Sequence, residues 1–149
     1  MSDFDSLFTD PEKERKGVWV RHPKGGEFLL ARMDNPEYLD ALRKASEPYR
    51  EALRKDPEFQ IPDGEADKVL GRALVGHIVL DWRGWNRGDT PVPYTRDRAY
   101  EVLCQPGARD LRRWIVESAA NPDHFRLPKG QTIDVPSLAE LQDEATEKN

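Results

Sequence analysis

The sequence predicts a mainly α domain of the α+β class: an N-terminal β-hairpin packed on a small bundle of about four to five helices. A polar N-terminal arm and an acidic C-terminal tail flank it. Three observations predict this. Apolar and polar residues alternate on both sides of a His-Pro-Lys-Gly-Gly turn near the N-terminus. After that turn, apolar residues recur at three- and four-residue spacing behind recognisable helix caps. The charge is uneven: the net charge is −5, with the middle of the chain nearly balanced and both ends acidic.

Residues 1–16 are polar and charged, which predicts a flexible arm, with Phe4, Leu7 and Phe8 as an apolar clump suited to docking. Val18 and Val20 alternate with Trp19 and Arg21, and Phe28, Leu29 and Leu30 supply the return strand. Gly25 and Gly26 lie in the turn between them, where positive φ is needed. A lone hairpin is marginal in water, so this one must pack on helices or pair with another strand.

Asn35 is a fitting N-cap, Pro36 suits the first helical position, and Glu37 suits the first turn. Leu39, Leu42, Ala45, Tyr49 and Leu53 give that helix a narrow apolar face, and Pro48 predicts a kink or a break within it. After a connector over 58–64, the apolar positions from Ala66 to Trp82 predict one central helix over 65–82, buried on most sides towards its end. In that helix Gly71 and Gly76 would permit close helix approach, and His77 reads as a buried, hydrogen-bonded histidine. Trp82 would then close the core at the helix end.

The loop "WRGWNRGDTPVPYT" follows, with Pro91 and Pro93 holding it extended. Most of it reads as a structural corner, leaving Arg83, Trp85 and Arg87 to face a partner. Thr95 caps a short helix ended by Pro106-Gly107. The next helix carries Leu111, Trp114, Ile115 and Ala119 on one face and arginines, Arg112 and Arg113 among them, on the other. In the tail, Ser137 and Glu140 form a capping box ahead of Leu138 and Leu141, a short acidic amphipathic helix with two apolar anchors. The domain boundaries that follow are an arm over 1–16, one globular domain over 17–127 and a tail over 128–149.

The composition narrows the function. No apolar run approaches the ~18 residues of a membrane span, and the N-terminus lacks an apolar signal core. Cys104 is the single cysteine, which fits a reducing cytoplasm and reads as a small half-buried hydrophobe. His22, His77, His124 and Cys104 share no metal-ligand spacing, so neither a metal nor a cofactor is expected. Nucleophile and phosphate-loop motifs are missing too, and an enzyme is not expected. The charge balance gives no nucleic-acid footprint. From Leu70 to Pro128 every basic residue except histidine is Arg, a side chain enriched at interfaces. Contact candidates are therefore Phe4, Leu7, Phe8, Arg83, Trp85, Arg87, Arg112, Arg113, Leu138 and Leu141.

From Val69 to Phe125, an apolar stretch runs into "VLDWRGW", then "GDTPVPYT", then "RDRAYEVLCQPGARDL" and "RRWIVESAANPDHF". This order resembles the tail assembly chaperone family of long-tailed bacteriophages and prophages, with "DWRGW…PVPYT" its most specific part. The hairpin and first helix, "GVWVRHPKGGEFLLARMDNPEY", extend the likeness to about residues 17–127. Where that family often has an acidic, Gly-rich run in the loop, this chain has "NRGDT". The resemblance implies a non-enzymatic protein of the host bacterial cytoplasm that binds the tape measure protein, keeps it soluble, helps recruit tail tube protein and is lost before the tail is complete. A second copy of the chain is a further candidate partner. Such proteins are often also made in a longer form by ribosomal frameshifting. Glu147-Lys148-Asn149 encoded as GAA-AAA-AAC would contain a slippery heptamer, which the gene sequence can check. Two other readings fit the composition: a tail or neck component retained in the particle, and a small phage protein that binds a host factor.

Overall fold

The computed structural model describes residues 3–128. A 3-10 turn over Phe4–Leu7 leads into α1 (Pro11–Lys16), then strands β1 (Val18–Arg21) and β2 (Glu27–Leu30). Helices α2 (Pro36–Lys55) and α3 (Glu65–Leu74) follow, then β3 (Val79–Arg83) and the two-residue strands β4 (Asn86–Arg87) and β5 (Thr90–Pro91). The last helices are α4 (Arg96–Leu103) and α5 (Arg109–Ala120). The α+β class and the N-terminal hairpin are as the sequence predicts.

The main correction concerns the central helix. It stops at Leu74, and the rest of the apolar run is β3, which pairs antiparallel with β2 to make a sheet in the order β1-β2-β3. A buried apolar run suits a helix or a strand equally well by pattern alone. What decides here is Gly76 at φ 81°, a left-handed conformation that ends the helix, together with β-branched Val75, Ile78 and Val79. The Ala31 amide then donates to the Ile78 carbonyl at 2.9 Å, and the chain continues as a strand. His77 therefore lies half-buried in a turn rather than on a helix. Trp82 is buried as expected, from a strand instead of a helix end.

Helix α2 is continuous through Pro48, with no break. The ring removes the N–H that would bond the Lys44 carbonyl, but Pro48 is exposed, so water can reach that carbonyl. Its inward face is also rotated from the predicted one: Tyr38 is buried while Leu39 is 47 % exposed. Asn35 caps this helix by accepting from the Tyr38 amide, and its amide group donates to the carbonyls of Arg32 and His77.

One face of the sheet carries the core. Phe28 opposes Trp82, and Leu30 opposes both Val18 and, past a bulge, Val79. Ala73, Leu74, Ile78, Ala99, Leu103, Ile115 and Ala119 close over them. The other face presents Trp19, Leu29 and Arg83.

The predicted arm is also corrected from Thr9 onward. Thr9 bridges Arg126, the Asp10 amide donates to the Phe125 carbonyl at 2.8 Å, and Glu14 pairs with Arg32 at 2.8 Å. Polar composition alone suggested a loose arm, but its charges find partners on the body.

Candidate protein-interaction groove

The loop after β3 builds one wall of a groove. Asn86 pairs with Pro91 and Arg87 with Thr90, a miniature hairpin that the sequence reading took for an extended corner. The Val92 amide donates to the Trp85 carbonyl at 2.8 Å, which brings the loop back across β3. The Trp82 indole N–H then donates to the Val92 carbonyl at 2.8 Å, and Tyr94 packs edge-on to Trp82 with its hydroxyl donating to the Val79 carbonyl. Burial raises the Tyr94 pKa above its ordinary value, so that hydroxyl stays a donor at neutral pH.

Trp85 folds over the first hairpin. Its indole N–H donates to the Glu27 carbonyl at 3.3 Å, and its ring lies where a side chain on Gly26 would stand. Phe28 is 5.4 Å from that ring. The His22 ring stands 5.4 Å from Trp85 and 4.6 Å from Trp114, both edge-on, in the range where aromatic pairs stabilise each other. The His22 Nδ1 accepts from the Lys24 amide, so in the neutral ring the proton sits on Nε2.

Opposite this wall stand Val102 of α4 and Leu111 of α5. The space between is an open groove of about 440 Å³, floored by Phe28 and Trp82, with Asn86, Arg87 and Asp110 at its rim. Clefts of ~300–1,000 Å³ lined by aromatic and aliphatic groups with a few polar ones are the ordinary form of a binding site. A larger hollow of about 670 Å³ beside the start of α2 mixes charged residues such as Glu14, Arg15 and Arg32 with Ala31, Met33, Pro36 and Leu80. A depression of about 510 Å³ on α2 is bounded only by Glu47, Arg50, Leu53 and Arg54 of that single helix. Neither is lined by a tryptophan or phenylalanine ring.

The predicted contact residues distribute unevenly around the groove. Trp85 lines it and is half-buried, and Arg87 stands at its rim. Arg83 points to the other side of the sheet, 3.9 Å over the Trp19 ring and paired with Glu27 at 3.1 Å. Arg113 is exposed on α5. Arg112 is a correction: it is 2 % exposed, donates to the Leu103 and Gln105 carbonyls at 2.8 and 2.6 Å, and pairs with Asp67. It holds the end of α4 to α3 and is closed to any partner. Helical spacing could not reveal this, because the carbonyls it satisfies come from the last residue of α4 and the turn that follows it. Phe4, Leu7 and Phe8 are exposed as a separate patch, with the Phe4 and Phe8 rings 6.0 Å apart. Leu138 and Leu141 lie outside the described residues.

The sequence reading named none of His22, Phe28, Val92, Val102 and Leu111 as a contact residue; it placed Phe28 in the return strand and Leu111 on the apolar face of its helix. The pairing of Phe28 with Trp82 is set by strand register, which the mistaken helix had hidden. Cys104 is half-buried against α3, its thiol donating to the Lys68 carbonyl, and burial raises its pKa. Among the described residues no group of three metal-ligating side chains occurs, and no helix is long and apolar enough to cross a membrane.

Comparison with known proteins adds one finding. The family described as YdaY prophage protein matches residues 33–133, which takes in α2, α3, β3, the loop that builds the groove wall, α4 and α5. No curated protein matches the chain, and no solved structure does. The match covers more than half of the sequence and spans the elements on both sides of the groove, so this chain belongs to the YdaY prophage protein family.

Proposed function

We propose that this prophage protein is a non-enzymatic tail assembly chaperone whose client is the tape measure protein. The observation that carries the reading is the open groove walled by His22, Phe28, Trp85, Val92, Val102 and Leu111, with Arg87 at its edge. An amphipathic helix docks by laying its apolar face into such a groove, and aromatic and Arg side chains are the usual anchors. A long helical client with many apolar faces needs cover before it assembles. The resemblance of "DWRGW…PVPYT" to the tail assembly chaperones supports the same reading. On it the protein acts in the host cytoplasm, helps recruit tail tube subunits and leaves before the particle is finished.

Co-expression with the large helical tape measure protein of the same prophage tests this. The client's soluble fraction should rise with this chain present and fall back with Trp85→Ala. An equal soluble fraction with and without the chain sinks the proposal. Stoichiometric recovery of the chain in finished particles would favour a retained structural component instead.

A further inference from the structure

The N-terminal turn carries an apolar surface of its own. Phe4 is 74 % exposed and Leu7 65 %, and together with Phe8 they form one patch. Large apolar side chains grouped in this way on a charged protein mark a contact surface. The patch is held in shape. Asp3 accepts from the Asp5 amide at 3.1 Å, and its carbonyl accepts from the Ser6 hydroxyl at 2.6 Å. The Leu7 carbonyl accepts from Arg126 Nη1 at 2.8 Å, and the Phe8 carbonyl from the Leu127 amide at 3.4 Å.

These bonds tie the patch to the segment just past the turn over Pro122–Phe125, beyond the end of α5, whereas Leu111 of the groove lies near the start of that helix. From Leu111 to Ala120 the helix rises ~14 Å, and the N-terminal turn spans only ~6 Å from Phe4 to Leu7. The patch therefore cannot enter the groove of its own chain while those bonds hold. The two surfaces nevertheless complement each other. From Asp3 to Glu12 there are four carboxylates and no cation, and Asp3 and Asp5 flank Phe4. At the groove, Arg87 stands on the rim and Arg98 shares an adjoining hollow with Arg87 and Val92. Asp110 is the single carboxylate among the lining residues, and Arg113 stands exposed one turn further along α5.

We propose that this chain associates with itself head to tail: the patch of one copy enters the groove of a second, seating Phe4 and Leu7 between Trp85 and Leu111 with Asp5 turned towards Arg87. Aromatic side chains gain from edge-on and offset contacts there as well as from buried area, and opposite charge fixes which way round the segment lies. The two surfaces differ, so each copy offers one patch and one groove. Copies then add into open chains or closed rings instead of stopping at a two-fold dimer. A segment this short buries far less than the ~1,200 Å² of a stable interface, so the contact is reversible, with a dissociation constant on the order of 10–100 µM. The contact requires only the patch and the groove, and a client helix in the groove would compete with it.

Sedimentation velocity of the full chain, from about 10 to about 500 µM, tests this around the expected dissociation constant. The average mass of the wild type should rise across that range, whereas Phe4→Ser with Leu7→Ser should stay monomeric. Trp85→Ala should stay monomeric too, and Arg87→Glu, exposed on β4, serves in its place should that variant unfold. An equal mixture of the patch variant and the groove variant leaves one intact patch and one intact groove, so it should form a one-to-one dimer and grow no further. Adding Asp5→Lys to Arg87→Glu should restore growth. A wild type that stays monomeric throughout, association that survives either the patch or the groove variant, or a mixture that stays monomeric each overturns the proposal. All three leave the client reading intact, because the client's soluble fraction decides that. Conversely, a wild type that self-associates as expected but leaves the client's soluble fraction unchanged would overturn the client reading alone.

Discussion

Two neighbouring residues of α5 lead into opposite kinds of environment. Leu111 faces a groove whose aromatic lining is open to solvent, whereas Arg112 enters a region where the end of α4 is clamped to α3. On the clamped side the backbone of Leu103 lies so close to Gly71 that no side chain fits between them. Among the described residues no buried side-chain nitrogen or oxygen lacks a hydrogen-bond partner. On the open side, apolar surface is half-covered and two indoles hydrogen-bond to backbone carbonyls rather than to one another. Polar satisfaction and close approach make a rigid platform, and the platform holds an unfinished apolar surface in shape.

Arg112→Ala should break this comparison most severely. It leaves Asp67 and the Leu103 and Gln105 carbonyls without the buried guanidinium that joins them, and unfolding in urea should show a loss of about 3 kcal/mol. Arg113→Ala, one residue on and exposed, should fall within about 0.5 kcal/mol of the parent in the same experiment. Gly71→Ala comes next. Its Cβ would stand 2.6 Å from the Leu103 carbonyl oxygen, a backbone atom held by Arg112, and the helices must separate. A loss of about 2 kcal/mol is expected, while Gly107→Ala, with nothing within 4 Å, should be neutral.

Gly26→Ala sharpens the contrast from the other side. The new Cβ would stand 2.2 Å from the Trp85 ring, but that ring borders open space and can swing away. Stability should fall by only about 1 kcal/mol, yet Trp85 fluorescence should move to longer wavelength and client solubilisation should drop. Arg83→Ala removes an exposed ion pair and a stacked guanidinium on the far sheet face. It should cost less than about 1 kcal/mol and leave client binding unchanged.

The smallest effect concerns Cys104. Burial raises its thiol pKa, so iodoacetamide should alkylate it more slowly at pH 7.5 than it alkylates free cysteine. The stability tied to that protonated thiol is complete below its unfolded pKa of about 8.5 and fades as pH climbs through the higher folded value. A titration curve that gains stability above pH 9 would contradict the assignment.

Local chemistry made several elements legible. Asn35 with Pro36, Thr95 with Asp97, and the Gly-rich turn before Glu27 each announce a boundary through a side chain or a backbone freedom that acts within four residues. What stayed hidden depends on distant partners. Gly76 ends α3 locally, but Val79–Arg83 becomes a strand by pairing with β2, about fifty residues earlier in the chain. The clamping role of Arg112 depends on Asp67 and on a turn it does not belong to. The groove shares both difficulties, since Trp85 was visible as a candidate while Phe28, Val102 and Leu111 become its neighbours only once the sheet has three strands.

The Thr9–Arg126 bridge has a practical consequence for engineering. It holds the first and last described segments side by side, so in a chain trimmed to residues 3–128 a short linker could join the two ends. New ends opened in the exposed connector at 57–63 would give a circular permutant with every strand pairing and helix intact. Reporter groups fused at either end of the chain trimmed to residues 3–128 would stand on one side of the molecule, which makes a split reporter across them a direct gauge of whether the body is folded.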